Sequence, residues 1–211
     1  MKIITIKAKD TESGSQNTYI VEDNDCCVII DAGVGLETVK QYTNLPIKAV
    51  LLTHAHYDHI EKIEEYDKLS VPIYSSEKSK ELFGDIKANA SDLFNDSRTF
   101  ELKNINNLED SQELIIGNLH FKYYSTPGHT IDGGCFLLEN DGSLFTGDTL
   151  FSAGIGRSDL PTGNTNELKE SLGKISQINY EKLYPGHGDI SDKTTQDRLI
   201  PKWQRYLNII R

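Results

Sequence analysis

The chain has 211 residues, a formal net charge of −10 and a sequence pI near 5.0. That length allows one well-buried core and leaves no room for two ordinary domains with linkers. The acidic balance argues against nucleic acid, whose binding rests on basic surface, and no apolar run is long enough to cross a membrane.

In chain order, residues 1–7 (MKIITIK) alternate like an edge or half-buried strand and lack the long apolar stretch of a signal peptide. The expected location is therefore the cytoplasm. Cys26 and Cys27 open a strand-like run to Ile30. Successive strand residues face opposite sides, so one thiol is expected to be buried and the other on the opposite face. Residues 47–52 (IKAVLL) read as a buried strand and lead into residues 53–59 (THAHYDH). His54 and His56 are two apart, so they project to the same side of an extended strand end, whereas on a helix they would diverge by roughly 200°. The motif therefore reads as a loop, with Asp58 and His59 further round the turn and residues 60–69 as an exposed helix after it. Residues 76–98 mix helix-like and polar pieces.

Three similar strand-to-loop junctions follow. Residues 121–126 run into Pro127-Gly128-His129, residues 143–146 into Gly147-Asp148, and residues 182–184 into Pro185-Gly186-His187. In each, a glycine directly precedes the candidate ligand, which lets the backbone approach closely or turn sharply enough to aim it. Cys135, in the apolar run 134–138, reads as core packing. Residues 166–178 have helical spacing at Leu168, Leu172, Ile175 and Ile178, with Thr165 as N-cap. Trp203 and Tyr206, three apart, read as the docking face of a closing helix. His120 sits in a strand with no ligand partner.

His54, His56, His59, His129 and His187 thus account for five of the six histidines. Imidazole and carboxylate packed this densely suit zinc, iron or manganese. The same bases buried without a metal would be desolvated for little return.

The stretches Asp31-Ala32-Gly33, THAHYDH at 53–59, TPGHT at 126–130, LFTGDTLF at 144–151, GIGRSDLP at 154–161 and YPGHG at 184–188 resemble the metallo-β-lactamase superfamily. Within it, the chain looks like a short, glyoxalase II-like (hydroxyacylglutathione hydrolase-like) protein. The resemblance implies an α/β fold: a four-layer αβ/βα sandwich of two mixed sheets with outer helices, residues 1–211 forming a single domain. It implies two divalent metal ions, zinc first and iron or manganese as alternatives. His54, His56 and His129 would hold one, Asp58, His59 and His187 the other, and Asp148 would bridge them.

The implied activity is hydrolysis of a thioester, such as an S-acylglutathione, by a metal-bridging hydroxide. Asp58 and Asp148 would serve catalysis, and Asp31 would orient a ligand imidazole from behind. Arg157 would either anchor a substrate carboxylate or pair with Asp159. Departures from the family pattern bear on substrate. Glu61 and Lys62 replace a frequent glycine pair, and the short stretch after Gly188 allows a terminal helix but no helical glutathione-gripping domain. Tyr57, Phe83, Asn89 and Phe94 are candidates for the site's entrance. The expected partner is a small-molecule thioester, with no nucleic acid and no membrane, for a monomer or homodimer. A second activity compatible with the resemblance is a persulfide dioxygenase holding one iron through His54, His129 and Asp148.

Overall fold

The computed structural model describes residues 1–7 and 16–209. One six-stranded sheet runs in spatial order β1 (Lys2–Lys7), β2 (Asn17–Glu22), β3 (Cys27–Ile30), β4 (Ile47–Leu51), β5 (Ile73–Ser76) and β6 (Ile105–Leu108). Its first three strands are antiparallel, and β3 to β6 are parallel. The second sheet contains β7 (Glu113–Ile116), β8 (Leu119–Ser125), β9 (Gly134–Leu138), β10 (Ser143–Gly147), β13 (Lys182–Pro185) and β14 (Ser191–Asp192), in the order β14-β13-β10-β9-β8-β7. Strands β11 (Leu150–Phe151) and β12 (Gly154–Ile155) form a small hairpin between β10 and β13 in the chain. Both large sheets are mixed, since β10 and β13 are parallel while the other neighbours in the second sheet are antiparallel.

Strand alternation assigns the layers. Val28 and Ile30 of β3 point one way, joining Tyr19, Val21 and Leu51 against Phe121, Phe136, Leu138 and Phe145 of the other sheet. Cys27 and Ile29 point the opposite way, under the short helices α1 (Leu36–Val39), α2 (Tyr57–Ile60), α3 (Ile63–Lys68) and α4 (Ser79–Phe83). On the far side, Cys135, Leu137, Leu144 and Leu183 pack under α5 (Thr165–Gln177) and α6 (Lys193–Leu207). The result is the expected helix–sheet–sheet–helix sandwich. No described helix is long and apolar enough to cross a membrane.

Several local expectations are corrected. Both Cys26 and Cys27 are buried, because this sheet is covered on both faces and Cys26 lies under the turn at Gly117. The helix expected over residues 60–69 starts earlier, at Tyr57, breaks at Glu61-Lys62 and resumes as α3; it is not exposed, since Ile60, Ile63 and Tyr66 are fully buried. Helix α5 is capped by Asn164, whose side chain accepts from the backbone N–H groups of Asn166 and Glu167, while Thr165 is already helical. In α6 the docking face is Gln196, Ile200, Trp203 and Leu207, and Tyr206 is exposed. Of the entrance candidates, Tyr57, Phe83 and Asn89 are buried.

Topology brings the junctions together. Because β9 is antiparallel to both β8 and β10, β8 runs in the same direction as β10 and β13. The three glycine-preceded loops therefore leave one edge of the second sheet, and the loop after β4 meets them there.

The cap assignment is testable by urea unfolding. Asn164→Ala is expected to lower the unfolding free energy by about 1 kcal/mol with an unchanged denaturant slope; Thr165→Ala should cost less. The reverse order would contradict the assignment.

Candidate metal centre

The loop after β4 is fixed by Asp31, which follows β3 on the neighbouring parallel strand. Asp31 holds a left-handed φ of 61°, one that aspartate tolerates better than most residues. Its Oδ1 accepts from the Thr53 backbone N–H at 2.8 Å, and its Oδ2 accepts from Thr53 Oγ1 and from His59 Nδ1, each at 2.8 Å. Glycine is required at all three junctions; Gly128 has φ 129°, and a Cβ there would lie 2.1 Å from the Leu168 backbone N. Gly147 has φ 48°, and a Cβ there would lie 2.3 Å from Thr53 Oγ1. At Gly186 a Cβ would lie 2.2 Å from Asp148 Oδ1 and 2.7 Å from His59 Cε1. These close approaches let the β10 and β13 ends press against the histidine loop.

All seven candidate ligands converge. Donor atoms of His54, His56 and His129 lie within 4.8 Å of one another, as do those of His54, His59 and Asp148, and those of Asp58, His59 and His187. The His54 ring centroid is 4.9 Å from that of His56, 4.2 Å from that of His59 and 5.1 Å from that of His129. His187 Nε2 stands 3.1 Å from Asp58 Oδ2 and 3.5 Å from Asp148 Oδ2. Among the described residues, Asp148 is thus the one carboxylate near donors of all three groups, with His129 Nε2 at 3.6 Å and His59 Nε2 at 3.3 Å.

The ring tautomers follow from the outer contacts. His59 Nδ1 donates to the Asp31 carboxylate, and His129 Nδ1 donates to the Arg157 carbonyl at 2.7 Å. The Thr53 hydroxyl gives its proton to Asp31, so it accepts from His54 Nδ1 at 3.1 Å. In each case Nε2 is the ring nitrogen left facing inward. The Nε2 atoms of His54, His56, His59 and His129, together with Asp148 Oδ1, are buried without a hydrogen-bond partner. Buried polar atoms are normally satisfied, and five such atoms converging within one cluster fit a nitrogen- and oxygen-preferring cation.

Charge tells the same story. Burial, reinforced by neighbouring imidazoles, holds His54 well below its ordinary range and pushes His56 down to about 3, so both are neutral bases. Burial also opposes charge on His59, but the carboxylates of Asp58, Asp148 and Asp31 outweigh it and raise that imidazole well above its ordinary range. For His187, burial is likewise outweighed, by Asp58 and Asp148. Burial opposes ionisation of Asp58 and Asp148 too, yet His59 foremost among the histidines keeps both below the usual carboxylate range. The site therefore attracts positive charge, and metal ions can take the place of the protons.

Arg157 is placed beside the cluster through its carbonyl. Its guanidinium forms a two-point ion pair with Asp159, Nε to Oδ1 at 2.8 Å and Nη2 to Oδ2 at 2.7 Å. Sequence reasoning missed the supports of the His187 loop. The Asn17 side chain donates to the carbonyls of Pro185 and Gly188, each at 3.0 Å, and Tyr19 Oη donates to that of Pro185 at 2.6 Å. The available signal was a run of polar residues, Asn17, Thr18 and Tyr19, entering a strand buried up to Val21. Thr53, between Asp31 and His54, was missed as well.

A sequence profile of the metallo-beta-lactamase superfamily matches residues 12–187. The "Probable metallo-hydrolase YqgX" of Bacillus subtilis is 31% identical over 191 residues, covering 88% of this chain and 90% of that protein. A "Hydroxyacylglutathione hydrolase" of Francisella philomiragia is 34% identical over 173 residues, covering 80% of this chain and 61% of that enzyme. Among solved structures, the BLEG-1 B3 metallo-beta-lactamase superposes with a TM-score of 0.85 at 28% identity, covering 96% of this chain and 99% of the other.

Gly186→Ala tests the close approach. It is expected to weaken metal affinity about 10- to 100-fold with an unchanged far-UV circular dichroism spectrum; wild-type affinity would show that the crowding is relieved elsewhere.

Proposed function

The chain belongs to the metallo-beta-lactamase superfamily, a family of metal-dependent hydrolases, and we propose that it hydrolyses thioesters at a two-metal centre. The observation that carries this reading is the set of three overlapping donor groups, in which the Nε2 atoms of His54, His56, His59 and His129 and Oδ1 of Asp148 lack partners. His54, His56 and His129 would hold one ion, Asp58, His59 and His187 the other, and Asp148 would reach both. Zinc suits this donor set, with iron or manganese as alternatives. The ions would supply Lewis acidity and a bound water with a lowered pKa.

The protein's own groups do the rest. Asp31, Thr53 and the Arg157 carbonyl fix the imidazoles so that little reorganisation is needed during reaction. Asp148 and Asp58 offset the cationic charge and would orient the nucleophile. A thiolate leaves without a strong acid, which suits a site whose buried imidazoles are committed elsewhere. The similarity to a hydroxyacylglutathione hydrolase supports a thioester. This chain spans about three fifths of that enzyme.

Arg157 is our candidate anchor for a carrier carboxylate, in competition with Asp159. We take residues 1–211 to act as one domain, as a cytoplasmic monomer or homodimer on a small-molecule thioester, without nucleic acid or membrane.

The direct test is thiol release from S-D-lactoylglutathione by protein of measured metal content. Turnover is expected with wild type and is expected to be lost in His54→Ala and in Asp148→Ala, the latter also releasing at least one ion. Oxygen uptake with a persulfide by a protein holding a single iron, and no thiol release, would overturn the reading in favour of a dioxygenase. Arg157→Ala is expected to raise KM more than it lowers kcat; an unchanged KM would remove Arg157 from the substrate site.

A further inference from the structure

Asp58 and His59 are presented by α2, a helix of only four residues. A single turn fixes many dihedral angles for little hydrogen-bond return and leaves both of its ends unsatisfied. The internal bond from His59 N–H to the His56 carbonyl, 3.0 Å, is a minor part of what holds it. At its start, the Tyr57 N–H donates to the Asn89 carbonyl at 2.7 Å; toward its end, the His59 carbonyl accepts from Ala32 N–H at 2.7 Å. The carbonyl of Glu61, the C-cap of α2, accepts from Arg98 Nη2. Two of these three outside supports come from one segment, residues 89–98.

That segment is built to hold Arg98 still. The Arg98 carbonyl accepts from Asn89 Nδ2 and from Ser91 Oγ, and its N–H donates to Ser91 Oγ, all at 3.0 Å. The guanidinium carbon lies 5.4 Å from the Tyr57 ring centroid and 4.7 Å from that of Phe100, positions that favour a cation over an aromatic face. Tyr57 Oη in turn donates to Asp96, whose carboxylate is 3.8 Å from Arg98 Nε. Ala90, Asn95 and Ser97 hold left-handed φ values of 60°, 58° and 48°. Each such residue is costly and persists only where its surroundings over-determine it.

We propose that Arg98 is a positioning residue for the Asp58/His59/His187 group: by closing the carbonyl end of α2 and stacking on Tyr57, it sets the turn that delivers two of those three donors. This rests on the two-metal reading above. Of the other group, His54 and His129 lie on the β4 and β8 loops, and His56 is the N-cap of α2, at the end away from Arg98, so the effect of Arg98 falls foremost on the Asp58/His59/His187 group. A residue important only for overall stability would not discriminate between them.

The test is a Zn²⁺ titration of metal-stripped protein in competition with a chromophoric chelator, with thermal unfolding measured in parallel. Wild type is expected to take up two equivalents. Arg98→Ala is expected to bind the first as wild type does and the second at least about tenfold more weakly. Arg98→Lys, which keeps a donor but loses the planar stack, should recover part of the loss. Should Arg98→Ala fail to fold, Tyr57→Phe removes only the bond to Asp96 and is expected to weaken the second equivalent alone, by less. Foldable variants that bind both equivalents as wild type does, or lose both in step with thermal stability, would overturn this assignment alone. A wild type that takes up one equivalent would overturn the two-metal function, and this assignment with it.

Discussion

Seven ionisable side chains share one edge of the sandwich, all but the half-buried His187 largely withdrawn from solvent, and the balance of charge among them constrains the structure around them. Two carboxylates and five imidazoles cannot be desolvated together unless each charge finds a partner. The outer contacts divide the problem. Asp31 brings a third carboxylate to His59 from behind, while Thr53 and the Arg157 carbonyl give His54 and His129 neutral acceptors. The inward side is left with lone pairs and negative charge, the pattern a dication answers.

Rigid elements supply the precision this needs. The donors sit on loops, but three of those loops leave strands running in the same direction within one sheet, and the fourth leaves β4, which is buried between strands of the other. The inter-sheet layer of Tyr19, Phe121, Phe136, Phe145 and Tyr184 fixes the spacing of the two sheets. Tyr19 joins core to site directly, since its ring packs in that layer and its hydroxyl supports the Pro185 carbonyl beside His187. Substitutions in this aromatic layer thus bear on site geometry as well as on stability. The one-turn helix α2 is the exception to this rigidity, because its hold on Asp58 and His59 comes from a neighbouring segment.

Much of this was legible in the sequence for local reasons. A spacing of two places His54 and His56 on one side of an extended chain, and Gly147 and Gly186 stand before their ligands because a Cβ would collide with the cluster. Apolar runs marked β4, β8, β10 and β13. The family resemblance supplied the layered architecture, which the strand order and the three hydrophobic layers bear out. What escaped depends on long-range bonds that leave no period in the sequence. Asn17 reaches Pro185 and Gly188 across more than 160 residues, and Arg98 reaches Glu61 across 37. The helix cap at Asn164 was displaced by one residue because asparagine and threonine are both good caps, and only the backbone angles decide between them.

Anomalous diffraction from crystals of the zinc-loaded protein tests the central claim most directly. The account predicts two peaks, one bounded by His54, His56 and His129 and the other by Asp58, His59 and His187, with Asp148 between them. A single peak, or a second ion bound away from Asp58 and His59, would contradict it.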